Sequence, residues 1–153
     1  MIIFPHLLIG AAIGLKIHNP LAIFILALVS HFIADKIPHW EYLSKRLKDL
    51  SKKEFLAFLL KVAADGLLGL LLLFWLLQNQ SSWPYAIFGA VISALPDLPL
   101  FFLRFFPRVK WLSFYQKLHN ANHLDQENTQ KNILPIISEL TVAALAILAI
   151  GLK

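Results

Sequence analysis

The sequence predicts an all-α integral membrane protein with a single domain, residues 1–153. Hydrophobic residues make up 58% of the chain and charged residues only 15%, whereas soluble domains contain roughly 45–50% and 25%. The apolar residues are concentrated in long runs such as 55–77 and 133–152. Each run approaches the roughly 20 residues that a helix needs to cross a bilayer core. The chain length leaves room for one domain of this kind.

Five apolar segments are expected to form a transmembrane bundle. They cover about 4–17, 21–36, 55–77, 83–105 and 133–152. Proline cannot continue the helical hydrogen-bond ladder, so Pro38 ends the second segment, and Pro96 and Pro99 interrupt the fourth. Two amphipathic stretches, about 41–54 and 109–124, are expected to lie as helices on the membrane surface.

A short internal repeat suggests how the bundle is organised. The motif Pro20-Leu-Ala-Ile-Phe returns as Pro84-Tyr-Ala-Ile-Phe, and each copy leads to an acidic residue, Asp35 or Asp97, and a proline. The repeat predicts two helical hairpins. They would cover about 4–54 and 55–131, with a closing helix at about 133–152.

The placement of basic residues predicts the orientation. Lysine and arginine are concentrated in two connections, 36–53 and 104–131, whereas the opposite side carries only Lys16 and Lys153. Short loops rich in these residues stay in the cytoplasm. The sequence therefore predicts a protein of the inner membrane with its N-terminus inside and its C-terminus outside.

Nine ionisable residues within or next to the apolar segments are expected to converge on the cytoplasmic leaflet. They are His6, His31, Asp35, His39, Asp65, Asp97, His119, His123 and Glu139. A charged group at the centre of a membrane helix costs roughly 2.5–3.5 kcal/mol, so such groups usually face a polar interior and act there. His31 and Asp35 are four residues apart, as are His119 and His123, and this spacing places each pair on one face of a helix.

This combination of residues predicts a metal site. The chain has no cysteine, which excludes thiolate ligands and thiol nucleophiles. Imidazole and carboxylate ligands suit zinc, with manganese or iron as alternatives. The number of candidate groups is sufficient for two ions, with one carboxylate bridging them.

Each candidate has an expected role and a structural alternative. The expected metal ligands are His6, His31, Asp35, Asp97, His119 and His123, with Asp65 and His39 as further candidates. The carboxylates that do not bind metal, among Asp65, Asp97 and Glu139, are candidate catalytic bases. Lys36, Arg104 and Arg108 are candidate phosphate-binding residues. Alternatively, Asp65 bonds a neighbouring helix, Asp97 caps a helix, and Glu139 offsets a helix dipole.

Four short motifs resemble those of the bacterial membrane-bound metal-dependent hydrolases, some of which belong to the SOS response. They are Pro5-His6-Leu-Leu-Ile-Gly, Ser30-His31-Phe-Ile-Ala-Asp35, Leu95-Pro-Asp97-Leu-Pro and His119-Asn-Ala-Asn-His123. A more distant resemblance is to zinc-dependent phospholipase C and S1-type nucleases. The resemblance implies metal ligation by the histidines and aspartates of these motifs. Here the His-x-x-x-Asp motif comes before the Leu-Pro-Asp motif and the histidine pair, whereas in typical members of the family it comes last.

The resulting hypothesis is a membrane-embedded hydrolase that cleaves a phosphoester, in a lipid headgroup or another substrate, at the cytoplasmic leaflet. Its expected partners are membrane lipids and this substrate; no nucleic acid is expected, and the oligomeric state is left open. Two alternatives remain. A transporter of protons or divalent metal ions would also need buried His and Asp residues, and a non-catalytic membrane scaffold would use them only for hydrogen bonds.

Overall fold

The computed structural model describes residues 1–42, 47–122 and 133–152, and all regular structure in these ranges is helical. The helices are α1 (Ile3–Lys16), α2 (Pro20–Ala34), α3 (Lys52–Leu77), α4 (Trp83–Ala94), α5 (Leu98–Phe102), α6 (Lys110–Asn122) and α7 (Leu134–Gly151). Two 3-10 turns, Leu47–Asp49 and Leu95–Asp97, precede α3 and α5. The prediction of an all-α protein is therefore confirmed for these ranges.

The connection before α3 differs from the surface helix predicted over 41–54. Its described residues contain one 3-10 turn, Leu47–Asp49, and residues 43–46 lie outside the described ranges. Helix α3 begins directly after Ser51, whose side chain accepts a hydrogen bond from the backbone of Glu54, while the Glu54 side chain accepts one from the Ser51 backbone. Because this capping box satisfies the first N–H groups of the helix, the lysines that follow Ser51 belong to α3.

Three helical segments are long and apolar enough to cross a membrane: α3, the stretch Trp83–Phe102 and α7. Their outer faces consist of large apolar side chains; Leu67, Leu71 and Phe74 of α3 are all more than half exposed. This finding fits membrane association. Helices α1 and α2 have only 14 and 15 residues, about 21–23 Å at a rise of 1.5 Å per residue. Length and composition thus support three candidate spans, not the predicted five.

Helix α1 is the centre of the bundle and contacts α2, α3, α4 and α7. Leu8 and Ala11 of α1 are fully buried and belong to an apolar core with Leu73 of α3, Ala90 of α4 and Ile150 of α7. A short helix in this position is shielded by its neighbours. Its side chains therefore determine how the other helices are arranged around it.

The closest approach in the bundle is between α1 and α4, where glycines face each other. A Cβ atom on Gly10 would overlap the carbonyl oxygen of Gly89, and one on Gly14 would overlap that of Tyr85. Gly10 and Gly14 form the small-xxx-small spacing that lets two helix backbones touch. The contacts also show that α1 and α4 are antiparallel, so the start of α1 lies beside the end of α4.

Candidate metal centre

The centre is built at the end of the bundle where α1 starts and where α2 and α4 end. His31 and Asp35 lie one turn apart at the end of α2, and both side chains are buried. The Nε2 atom of His31 lies 3.1 Å from Oδ2 of Asp35. The sequence spacing alone therefore brings these two groups into contact.

Pro96, which lies just after α4, affects the backbone carbonyl that contacts His31. Pro96 has no N–H, and the chain tightens from α4 into the 3-10 turn Leu95–Asp97. The carbonyl oxygen of Ser93, three residues before Pro96, lies 2.8 Å from Nδ1 of His31. When Nδ1–H donates to this carbonyl, Nε2 of His31 carries a lone pair directed at Asp35. Metal-bound histidines are oriented by this kind of hydrogen bond.

The other two members come from the 3-10 turn and from α6. The Nε2 atom of His119 lies 3.2 Å from Oδ1 of Asp97 and 3.3 Å from Nε2 of His31. The hydroxyl of Tyr115, one turn before His119, donates a hydrogen bond of 2.6 Å to the carbonyl oxygen of Pro96. This bond fixes α6 against the turn that carries Asp97.

Together these residues form a group that could hold a metal ion. One donor atom from each member lies within 4.8 Å of the others, the members being His31, Asp35, Asp97 and His119. Five separations between the facing atoms are 3.1, 3.2, 3.3, 3.6 and 3.7 Å. Donors bound at roughly 2.0–2.1 Å in a tetrahedron stand about 3.3–3.4 Å apart. The two carboxylates would also balance the charge of a divalent cation, so the donor set fits such an ion in both geometry and charge.

His6 supports the centre from α1. Its ring is fully buried and stacks on that of His31 with centroids 4.3 Å apart. The Nε2 atom of His6 lies 3.2 Å from Oδ1 of Asp35, and the Nδ1 atom of His6 has no hydrogen-bond partner among the described residues. The amino group of Met1 lies 2.6 Å from the same Oδ1. Asp35 thus presents one oxygen to α1 and the other to His31 and His119.

Two predicted catalytic carboxylates bind the start of α1 instead. Asp65 of α3 accepts hydrogen bonds from the Phe4 backbone at 2.8 Å and from the Tyr42 hydroxyl at 2.5 Å. Glu139 of α7 lies 3.4 Å from the backbone nitrogen of Ile2. The first N–H groups of a helix have no partner within the helix and attract negative charge. These contacts agree with the structural alternative for each residue, and the catalytic role of both stays a prediction.

The remaining predicted site residues lie apart from the four-residue group. His39 is buried, with its Nδ1 atom 2.7 Å from the Ile37 carbonyl oxygen. Arg104 donates to the carbonyl oxygen of Leu47 and stacks over the ring of Phe55. The side chains of Lys36 and Arg108 are exposed. His123 lies outside the described residues, so its predicted pairing with His119 stays a prediction.

Two tyrosines near the centre have perturbed acidity. Burial, followed by the hydrogen bond to Asp65, raises the pKa of Tyr42 far above its usual value. Burial also raises the pKa of Tyr115 to about 12, with smaller contributions from the carboxylates of Asp97 and Asp35. Both hydroxyls therefore remain hydrogen-bond donors at neutral pH.

Several contributors to the site were not recognised in the sequence. Tyr42 and Tyr115 are of a residue type that is common at membrane–water interfaces, and nothing in their spacing indicates which groups they contact. The carbonyl of Ser93 belongs to the backbone, so its residue type does not reveal it. Pro96 lies three residues later, and its missing N–H does indicate that a nearby carbonyl lacks its usual donor. The spacing of Gly10 and Gly14 is the clearest feature of the sequence that would have indicated the close contact of α1 with another helix.

No protein-family model matches the chain, and no curated protein or solved structure is significantly similar to it. The fold and the site define its class by themselves. It is a helical protein with three candidate membrane spans and a buried His/Asp group that could hold a metal ion.

Proposed function

We propose that this protein is a membrane-embedded metal-dependent hydrolase that cleaves phosphoester bonds, with His31, Asp35 and His119 as its metal ligands. The observation that carries the proposal is the set of three separations among the facing donor atoms of these ligands, 3.1, 3.3 and 3.6 Å. These values match a tetrahedral ion, and zinc is bound in this geometry by histidine and carboxylate ligands. Manganese and iron accept the same ligands.

The position of Asp97 favours a catalytic site over a closed one. Catalytic zinc sites use three protein ligands and leave one position open. The Asp97 side chain is 30% exposed, whereas those of His31 and Asp35 are at most 1% exposed. We therefore assign Asp97 to the open side of the centre, where its Oδ1 atom accepts the proton of an attacking water.

Each remaining group has a defined task. A divalent ion at this centre supplies Lewis-acid chemistry and lowers the pKa of the water it binds. The Ser93 carbonyl orients His31, and Tyr115 keeps α6 and therefore His119 in place. His6 holds the oxygen of Asp35 that faces away from the ligand cluster.

The location of the centre favours a lipid headgroup as substrate. On α3, Lys61 lies one turn before Asp65, which binds the start of α1 close to the centre. A lysine so close to the centre suggests that the site lies just below the membrane surface. The basic connections favour a cytoplasmic location for this surface, with the N-terminus inside and the C-terminus outside. In this arrangement α1 and α2 complete a five-helix bundle, and the exposed side chains of Lys36 and Arg108 supply positive charge for binding phosphate.

A specific observation also favours a second function. All four donor atoms lie close enough to bind one ion together, and such a closed site would be structural. The protein would then be a membrane scaffold that is stabilised by metal. Asp97 separates these two functions because it is a base in the first and a ligand in the second.

The test uses protein purified in detergent without chelators, with metal content and cleavage of a generic phosphodiester as readouts. His31→Ala should remove both the metal and the activity. Asp97→Asn should retain the metal and lower the rate by about 10²–10⁴-fold. Asp65→Asn is the matched control and should retain the metal. Loss of metal in Asp97→Asn to the extent seen in His31→Ala would favour the scaffold, and metal flux into sealed vesicles without hydrolysis would favour a transporter.

A further inference from the structure

Helix α6 presents a large apolar surface that no described part of the protein covers. Trp111, Phe114 and Leu118 lie on one face of the helix, and each side chain is more than half exposed. Their spacing of three and four residues forms a continuous stripe. A stripe of this size on a helix outside the candidate spans needs an apolar environment.

The charge of this region indicates what that environment is. Residues 98–122 contain no Asp or Glu, whereas Arg104, Arg108, Lys110 and Lys117 are all basic. Lys110 and Lys117 are exposed and lie about a quarter turn from the apolar stripe, on a helix with 3.6 residues per turn. An apolar stripe bordered by lysines is typical of helices that lie in the plane of an anionic membrane surface.

The exposed apolar surface continues from α6 to a candidate membrane span. Phe102, Phe105 and Phe106 are also exposed, and Phe102 is the last residue of the stretch Trp83–Phe102 that is apolar enough to cross a bilayer. This continuity favours lipid over a protein partner, because the same bilayer that surrounds the span can cover the stripe.

An adjacent face of α6, about a quarter turn from the stripe on the side away from Lys110 and Lys117, carries the groups that reach the candidate metal centre. Leu112 and His119 are buried, and Tyr115 binds the carbonyl oxygen of Pro96. The surface stripe and the ligand therefore lie on two faces of one 13-residue helix. Whatever holds the stripe in place also determines the position of His119.

We infer that α6 binds an anionic phospholipid surface and that this binding completes the metal centre by holding His119 against His31 and Asp35. The centre would then be assembled fully only at the membrane whose lipids it acts on. The membrane docking stands on the exposed stripe and its charges. The coupling to metal rests on the function proposed above.

The docking is tested first, by a measurement that does not involve metal. Replacing Trp40, Trp75 and Trp83 with phenylalanine leaves Trp111 as the single tryptophan. In nanodiscs that contain phosphatidylglycerol, the fluorescence of Trp111 should be quenched by lipids brominated on the acyl chains and protected from aqueous iodide. Quenching by iodide as strong as for free tryptophan, or coverage of Trp111 only when a protein partner is added, would overturn the docking.

The coupling is tested by zinc affinity, measured by competition with a chelator. The wild-type protein should bind zinc about tenfold more tightly in phosphatidylglycerol nanodiscs than in phosphatidylcholine nanodiscs. Lys110→Gln/Lys117→Gln should abolish this difference, whereas Lys52→Gln/Lys53→Gln removes the same charge from α3 and should preserve it.

The outcomes separate this inference from the proposed function. Equal zinc affinity in both bilayers, or an equal loss in the two double variants, would overturn the coupling while leaving the metal centre intact. Absence of zinc binding in every bilayer would overturn the metal centre and with it the coupling, whereas the Trp111 measurement would still decide the docking. Phe114→Ser provides an independent variant of the stripe that retains every charge, and it should reduce the lipid quenching of Trp111.

Discussion

The Nδ1 atom of His31 lies 2.8 Å from the carbonyl oxygen of Ser93, so α4 determines which ring nitrogen of a residue in α2 faces Asp35. The carbonyl accepts this bond beside a 3-10 turn that contains Pro96. A residue with an N–H at position 96 would introduce a competing donor three residues after Ser93. The proline therefore influences the candidate metal centre through the backbone of α4.

We predict that Pro96→Ala lowers zinc affinity by about 10–100-fold, the range typical of groups that orient a metal ligand. The new N–H competes for the Ser93 carbonyl and frees the His31 ring to rotate. Pro84→Ala is the matched control, because Pro84 lies in the first turn of α4, where a new N–H meets no carbonyl that holds a residue of the centre. Chelator competition measures both variants, and equal affinities for Pro96→Ala and the wild type would contradict the prediction.

We predict that Asp35→Asn reduces metal occupancy by about tenfold or more. Loss of a group that only supports a ligand typically lowers metal affinity by about 10–100-fold, and loss of a direct ligand should lower it at least as much. Glu139→Gln is the control: Glu139 lies at the start of α1 beside Ile2 and should retain the metal. Metal analysis after gel filtration measures both. If the two variants retained equal occupancy, Asp35 would not be a ligand.

We predict that a reporter inserted in the connection 36–53 is cytoplasmic and that one fused after Leu152 is on the opposite side. The connection carries six lysine and arginine residues, which hold short loops in the cytoplasm. A phosphatase and a fluorescent reporter at each position measure the orientation. If both positions were on one side, the chain would cross the membrane an even number of times between them, and the five-helix arrangement would be wrong.

The sequence was informative wherever the arrangement of the candidate site depended on local spacing. The separation of His31 and Asp35 by four residues predicted that their side chains face the same way, and they lie 3.1 Å apart. The fourth segment was predicted to break at Pro96, and the structure has a 3-10 turn there. Both inferences needed only the geometry of one helix and the missing N–H of proline.

The sequence was uninformative about which acidic residues face the centre. Asp65 and Glu139 bind the start of α1, whereas Asp97 joins His119. In a lipid environment a helix is apolar on all sides, so hydrophobic periodicity does not reveal how it is rotated. The choice between ligand and cap depends on that rotation and on the order of the helices around α1, both of which are tertiary properties.

The hydrogen bond between Tyr42 and Asp65 predicts a dependence of stability on pH. The pKa of Tyr42 is raised in the folded protein, whereas an unfolded tyrosine has a pKa of about 10. The stabilisation is therefore complete below about pH 10 and is lost as the pH rises further, because the unfolded chain releases a proton that the folded protein retains.

The comparison with Tyr42→Phe isolates this effect. At pH 8 the variant should be less stable by about 1–3 kcal/mol, since Asp65 loses a donor. The difference between the two proteins should shrink above about pH 10. Unfolding in detergent at several pH values measures it. A difference that stays constant up to pH 11 would contradict the raised pKa.

The contact between α1 and α4 yields the last prediction, because two glycines of the chain form a matched pair. A Cβ on Gly10 would overlap backbone atoms of Gly89 and Ala90, which cannot move aside as a side chain can, whereas a Cβ on Gly66 of α3 meets no atom within 4 Å. Alanine is favoured over glycine within a helix by about 1 kcal/mol. Gly66→Ala should therefore be neutral or stabilising by up to about 1 kcal/mol. Gly10→Ala should lose about 1–3 kcal/mol or more, because the helices must separate to accept the methyl group. Thermal unfolding in detergent measures both variants, and equal stabilities of Gly10→Ala and Gly66→Ala would show that α1 and α4 do not pack through their glycines.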